Sequence, residues 1–451
     1  MTYNEFKLEL FAQAKAFGFS DWEIYYSADT SFDVKIFGGE IAEYKNTDSA
    51  GLSFRGTYQG RMGYAYTEKL DASIVPSLIK NAADNASVIE EEEIEKLYPG
   101  DKDYPKVETY NPALEAVSSK EKIDAALAME KYAYSLDSRV KSIDYCSLGT
   151  LESTISIANS YGLDLSTRSN FAYGFLMARV EEHGVPKTAH EIWHGNDFSK
   201  FSYKNLAETA VKRALSYLNA ESMESASYPV IFDNRTACSL FEAFSPVFFA
   251  EHAQKGFSML KGKEGGTIAA TVVTLRDDGV CSNSFGSVAF DSEGAATKQK
   301  AVIENGVLKT LLYNTKSAAK DGTTTTGNGF RSGFKASVAT ACTNFYIAPS
   351  DTSLEKMQSG IKQGVMLTEL AGLHSGLNPV SGDFSVSATG FMIEDGKVTK
   401  AVEQITVAGN FYNLLRDIEC VGNDLLFDTP SAGGTFGMPS VLVKALPISG
   451  L

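Results

Sequence analysis

The sequence predicts an α+β protein: an N-terminal half of two α-β-β-β-β-α units, then a β-rich C-terminal half of curled or packed antiparallel sheets with few helices. Three observations predict it. At 451 residues the chain exceeds one ordinary core. Through roughly the first 220 residues, helical and alternating periods return twice in the same order. From about Tyr228 onward, short β-like runs between glycine turns replace the helices.

The first unit opens with an amphipathic helix, about Tyr3 to Phe17. Four alternating segments follow, "DWEIYYSAD", "SFDVKIFGGEIAEYKNT", "AGLSFRGTYQG" and "RMGYAYTE", and a helix from near Leu70 to Ala86 closes the unit. The second unit repeats this order. It has a helix at Lys120 to Ser135, the alternating runs "VKSIDYCSLGTLESTISIANSYGLDLSTRS" and "FAYGFLMARVEEHGVPKTAHEIWHG", and a helix at Tyr203 to Asn219. Between the units, the acidic run "EEEEIEK" (Glu90 to Lys96) and the following "LYPGDKDYPK" predict a solvated linker. The expected domains are therefore 1–89, a linker at 90–112, 113–222, and a β-rich domain at 228–451. In that last domain helices are expected only at Asn234 to Glu251 and Asp351 to Gln363.

Composition narrows the function classes. A content of 43% hydrophobic and 22% charged residues is that of a soluble globular protein. No apolar run approaches the roughly 18 residues of a membrane span, and the first residues carry acids where a signal peptide is basic, so a cytoplasmic protein without membrane contact is expected. Cys146, Cys238, Cys281, Cys342 and Cys420 are scattered singly, which predicts reduced thiols. A net charge of −15 argues against nucleic acid as a direct partner, since phosphate binding needs clustered cations.

The string that most resembles an active site is "TAHEIWHGND", with His190, Glu191 and His194. On a helix this spacing is a zinc-peptidase motif. Here "VEEHGVPK" precedes it as a hairpin connection and "GND" ends it, so it reads as the last strand of the second unit. In a strand the two histidine Cα atoms stand roughly 13 Å apart, too far to share one zinc.

Other constellations are weaker. His374, Ser375 and Asp383 lack a nucleophile elbow and read as a Gly- and Ser-rich connection. "TGNGFRSGF" (Thr326 to Phe334) lacks the context of a phosphate loop and reads as a tight turn, and Asp277, Asp278 and Asp291 are too loosely spaced for a calcium loop. More unusual is "SLFEAFSPVFFAEHAQKGF". Phe241, Phe244, Phe248 and Phe249 recur at helical spacing, Asp233 or Asn234 can cap the helix, and Pro246 should break it just after Ser245.

Several segments together carry a family resemblance: "AGLSFRGTYQGRMGYAYTEKLD", "IANSYGL", "FDSEGAATKQKAVIENGVLKTLLYN", "GLNPVSGDFSVSATGFMIEDGKV", "ITVAGN" and "VGNDL". In order and spacing, over nearly the whole chain, they resemble the TldD/PmbA (TldE) family, historically labelled modulators of DNA gyrase. The resemblance implies a cytoplasmic metalloprotease system acting on unfolded or leader peptides, with one TldD and one TldE subunit. It also implies a zinc motif, His-Glu-x-x-x-His, and a further cysteine ligand near the C-terminus.

Laid on this chain, the motif falls on Phe241, Glu242, Ala243, Phe244, Ser245 and Pro246, and the cysteine loop on about "PSAGGTFGMP" (Pro430 to Pro439). Both histidines and the cysteine are missing. At about 100° per residue, positions i and i+5 lie roughly 140° apart, so such a motif closes on a metal only where the helix distorts. Pro246 occupies that place. The pattern resembles the TldE/PmbA branch, implying a subunit that binds no zinc itself and works with a zinc-bearing TldD-like partner or as a self-dimer on a peptide substrate. Phe241 and Pro246 are then degenerate metal positions and Glu242 a retained glutamate. The rivals are a stand-alone homodimeric peptide-binding protein and an independent zinc peptidase using His190, Glu191 and His194.

Overall fold

A computed structural model describes residues 1–89, 95–282, 284–431 and 433–450. Most of the acidic run expected as linker, Glu90 to Ile94, lies outside the described residues.

The two N-terminal units share one architecture. α1 (Tyr3–Phe17) leads into β1 (Asp21–Phe37), β2 (Glu40–Tyr58), β3 (Arg61–Thr67) and α2 (Val75–Val88). After the short α3 (Pro112–Glu115), the order returns as α4 (Ser119–Leu136), β4 (Val140–Asn159), β5 (Asp164–Glu182), β6 (Val185–Gly195) and α5 (Tyr203–Ser216). The α+β class and the duplicated order match the sequence reading, but each unit has three strands where four were expected. "DWEIYYSAD" and "SFDVKIF" run as one strand because Thr30 between them makes no turn and the ladder pairs through, Thr30 with Asp48 and Ser31 with Thr47. The six strands form a single antiparallel sheet in the order β3-β2-β1-β4-β5-β6.

Residues alternate between the sheet's two faces. On one face Ile24, Leu52 and Phe54 pack on α1 and α2, and Val34, Ile36, Leu148 and Leu176 pack on α4 and α5. Capping boxes at Thr2 and Ser118 fix the starts of α1 and α4. On the other face the C-terminal half covers one end of the long strands, burying Glu23, Tyr25, Ser53 and Arg55. Beyond Leu97 the expected linker keeps its charged side chains exposed, and it is also anchored to the fold. Leu97 is buried, Tyr104 donates to the Gly294 carbonyl at 2.8 Å, and its ring meets Phe290 edge-on.

The C-terminal half begins with β7 (Ala226–Phe232), α6 (Asn234–Phe244) and α7 (Ala250–Gln254). Next come β8 (Leu275–Asp278), β9 (Gln299–Glu304), β10 (Val307–Leu308), α8 (Thr315–Lys320), β11 (Gly329–Phe330), β12 (Ala339–Thr340) and β13 (Asn344–Ile347). The chain ends with α9 (Leu354–Ser359), β14 (Gln363–Ala371), β15 (Asp383–Glu394), β16 (Lys397–Asn410), α10 (Phe411–Asp417), β17 (Ile418–Val421), β18 (Leu426–Phe427), β19 (Thr435–Met438) and β20 (Val441–Ser449). One mixed sheet has the order β10-β9-β8-β13-β19-β18. In the other, β16-β15-β14-β7-β20-β17, a further pairing of β16 with β20 curls the strands into a closed ring. α6 is held in the aromatic core between these sheets, where Phe244 stacks on Phe411 at 4.4 Å. The helix expected over Asp351 to Gln363 is the shorter α9, and α8 and α10 were not anticipated.

Candidate functional site

Asp233 caps α6: its carboxylate accepts the Thr236 N–H at 2.8 Å. The helix ends at Phe244, and Ser245–Phe248 tightens into a 3₁₀ turn with Pro246 in its first turn. The break expected from Pro246 is therefore present, one residue earlier than placed. Phe241 and Phe244 are fully buried and pack on the same ring, Phe411, at 5.2 and 4.4 Å. The ring at Phe241 and the pyrrolidine at Pro246 offer no donor atom to a metal.

Glu242 emerges from the opposite side of this aromatic wall. Its carboxyl lies near the Ser431 hydroxyl, which itself donates to the Gly434 carbonyl at 3.1 Å, and burial, reinforced by the nearby Asp428 charge, pushes its pKa above the usual glutamate value. Cys238, one turn earlier, directs its thiol at the Phe436 carbonyl, 3.3 Å away. Cys342 donates its backbone N–H to the Gly433 carbonyl at 2.9 Å, and its thiol is pushed far up by burial. Gly434 is held at φ 126° against Cys342, whose carbonyl oxygen would lie 2.6 Å from any added Cβ. The broken helix and the loop from Pro430 to Pro439 thus meet at Glu242 and Ser431. Cys238 and Cys342 close the site as buried, protonated thiols, and all five cysteines are free. Among the described residues no three His, Cys, Asp or Glu side chains converge as a metal-ligand set. The residues present do not fit zinc.

The histidine motif lies elsewhere, in β6, an edge strand joined to β5 by a two-residue turn with His183 and Gly184 at positive φ. His190 pairs with Met177 and His194 with Tyr173, so the two imidazoles stand four residues apart along an extended strand. That separation, roughly 13 Å between Cα atoms, is beyond the reach of one zinc. Their neighbours are aromatic: His190 stacks on Phe175 at 5.4 Å, and His194 meets Phe285 edge-on at 5.5 Å. Burial holds both imidazoles below the ordinary histidine value. Glu191 points to the other face and forms an ion pair with Arg235 at 2.5 Å, tying β6 to α6.

The remaining candidates serve the fold. Ser375 directs its hydroxyl at the Gly372 carbonyl, and Asp383 accepts from Asn410 at 2.8 Å, leaving exposed His374 no part in a triad. Asp277 pairs with Lys300 at 2.6 Å, Asp278 accepts from Gln299 at 2.6 Å, and Asp291 accepts the backbone N–H groups of Glu293, Ala295 and Gly329. "TGNGFRSGF" is more than a tight turn. Its Asn328 bonds Asp277, and its Arg331 reaches Glu23 in β1 at 3.1 Å. Glu23 also binds Arg55 at 2.8 Å, and Arg55 lies 3.8 Å from Glu293. Sequence reasoning missed this buried cluster, because Glu23 sits in a strand segment covered on both faces, where period-two alternation carries no polarity signal.

Comparison with known proteins follows the same lines. Three PmbA/TldA metallopeptidase family models match in succession: domain 1 over residues 22–87, the central domain over 112–218 and the C-terminal domain over 225–450. The chain is 27% identical over 412 residues to the metalloprotease PmbA of Escherichia coli O157:H7, covering 89% of this chain and 87% of that protein. Among solved structures it is similar to a Thermotoga maritima protein described as a modulator of a DNA gyrase, with TM-score 0.91, 31% identity, and coverage of 99% and 100% of the two chains. It is also similar to TldE from Thermococcus kodakarensis, with TM-score 0.91, 25% identity and the same coverage.

Proposed function

This chain belongs to the PmbA/TldD metallopeptidase family, and from that premise we propose that it is a TldE/PmbA-like subunit, which holds no zinc itself and works with a zinc-bearing TldD-like chain on unfolded or leader peptides. One observation carries the reading: the positions that align with the metal histidines are Phe241, sealed in the aromatic core, and Pro246, which shapes the 3₁₀ turn. The likeness to a TldE structure over the full chain supports it. In this reading the distorted end of α6 keeps the backbone shape of a metal site, and its interior is filled with phenylalanine. Burial pushes the Glu242 carboxyl above the usual glutamate value, so it holds its proton to higher pH than a free glutamate would, at the wall of the site.

The test is zinc analysis and peptidase assay of the purified chain, alone and mixed with a TldD-like chain carrying the intact motif. The expected outcome is less than 0.1 equivalent of zinc and no cleavage for the chain alone (about a tenfold margin below one site), with co-elution and cleavage on mixing. Stoichiometric zinc in the chain alone, lost in His190→Ala, would overturn the proposal in favour of an independent peptidase. Failure to co-elute or to gain activity would favour the homodimeric binding protein.

A further inference from the structure

The central strands of the N-terminal sheet are apolar on both faces, and only one face is closed. β5 reads "FAYGFLMA" from Phe171 to Ala178, a run without a charge. An antiparallel strand with one face in water alternates apolar and polar residues, whereas such a run belongs to a strand covered on both sides. Leu176 and Ala178 are buried beneath α4 and α5. Phe171, Tyr173, Phe175 and Met177 point the other way, and there each is only half-buried.

These side chains belong to a floor that crosses four strands. Tyr145 of β4 meets Phe175 edge-on at 5.5 Å, and His190 of β6 stacks on the same Phe175 ring at 5.4 Å. Ile192 pairs opposite Phe175, and Phe37, next after core-facing Ile36 in β1, points to the same side. The Tyr173 ring lies over Gly149, where an added Cβ would stand 2.5 Å from it. Charges beside the floor are answered by its own aromatics: Asp33 accepts the Tyr173 hydroxyl, and the Lys35 ammonium sits 4.5 Å from the centre of the Tyr145 ring. Four strands span roughly 14 Å, and over that width Tyr145 remains 39% exposed and Phe37 58%.

The C-terminal half already docks on this face, where Phe285 meets Phe171 at 6.0 Å and His194 edge-on at 5.5 Å. The open floor continues that interface past the part which the chain covers by itself. A sheet face is too flat to enclose a small ligand, and sheets pack face to face about 10 Å apart through side chains of this kind. Aromatics and methionine with few charges are the composition of an interface core. In a chain of net charge −15, an uncharged floor is also where a second chain meets least repulsion.

We propose that this floor is the surface on which the TldD-like chain docks, a broad apolar face of that chain packing over Tyr145, Phe175 and Met177, with Phe37 anchoring the outer edge. The proposal rests on the subunit reading of the chain.

The test is sedimentation velocity of the full chain mixed with a TldD-like chain that carries the intact zinc motif. The wild type should form a one-to-one complex. Phe37→Glu with Tyr145→Glu should weaken it by about tenfold or more, and Phe37→Ser alone by about threefold, as expected for anchors of an interface core. Leu8→Glu, which puts the same charge at a 68% exposed position of α1 on the helix-bearing side, should leave it unchanged. Phe37 and Tyr145 lie outside the buried core, and thermal melts that match the wild type show the fold retained. A wild type that does not associate removes the subunit reading and this surface together. Association that is equal in the double variant, or equally weakened by Leu8→Glu, keeps the subunit reading and overturns the surface. A chain that dimerises alone, and becomes monomeric with Phe37→Glu and Tyr145→Glu, gives the floor to a second copy and overturns it too.

Discussion

Glu242 keeps a carboxyl group where burial and Asp428 both work against its charge, and only the Ser431 hydroxyl works for it. Its folded pKa is raised above the unfolded value of about 4.3. The protonated form therefore contributes stability that is fully present below that value and is lost as pH rises through the folded pKa. Glutamine resembles the protonated acid in shape and is indifferent to pH. Glu242→Gln should melt about 1 °C above the wild type at pH 8 and level with it at pH 4, by calorimetry at both pH values. A gain equal at the two pH values would show that the carboxyl is not perturbed. In the sequence, Glu242 was marked by its place among helically spaced phenylalanines just ahead of the Pro246 break. The family resemblance then placed it between two missing histidines, whereas His190 and His194 stood out by spelling and had to be discounted by geometry.

At the scale of elements, packing decided what periodicity left open. Gly63 in β3 lets α2 press directly on the strand: a Cβ there would stand 1.9 Å from the Ala82 carbonyl oxygen and 3.0 Å from the Ala86 methyl. Backbone cannot yield as a flexible side chain can, so Gly63→Ala should destabilise the protein by about 2 kcal/mol, measured by urea denaturation. A loss below about 0.5 kcal/mol would mean that α2 is free to shift. α1, α4 and α5 were legible because their apolar stripes and caps are local signals, and β6 because a Gly turn precedes it. The number of strands was not legible. Nothing in "ADTSF" tells whether the chain turns or continues, and the outcome was set by β2, whose residues pair across the whole length of β1. α8 and α10, of six and seven residues, are too short to show a period. The closed ring of the last sheet depends on the pairing of Thr406 and Val407 with Ser449 and Ile448, partners more than forty residues away, a contact that no local pattern encodes.

The molecule as a whole is joined by charge as well as by apolar contact. Arg331, from the C-terminal half, enters the N-terminal sheet with its side chain 1% exposed. It donates to Glu23 at 3.1 Å and to the Ser53 hydroxyl at 3.0 Å, and its guanidinium lies 5.1 Å from the centre of the Tyr25 ring. Glu23, fully buried, is shared with Arg55, which in turn faces Glu293 of the C-terminal half. Buried ions of this kind are weak evidence for net stability, but removing one partner leaves a charge uncompensated and costs about 3–5 kcal/mol. Arg331→Met keeps much of the side-chain volume and leaves Glu23 with Arg55 alone, so the lower end, about 3 kcal/mol, is expected. Because the lost contacts all cross between the halves, the loss falls on their coupling and spares either core. The wild type should melt in one cooperative calorimetric transition. Arg331→Met should melt earlier and in two resolved steps, with the far-ultraviolet spectrum at 20 °C unchanged. A single transition at the wild-type temperature would mean that apolar packing alone, such as Leu163 and Ile157 against Phe290, couples the halves and that the buried ions contribute nothing to it.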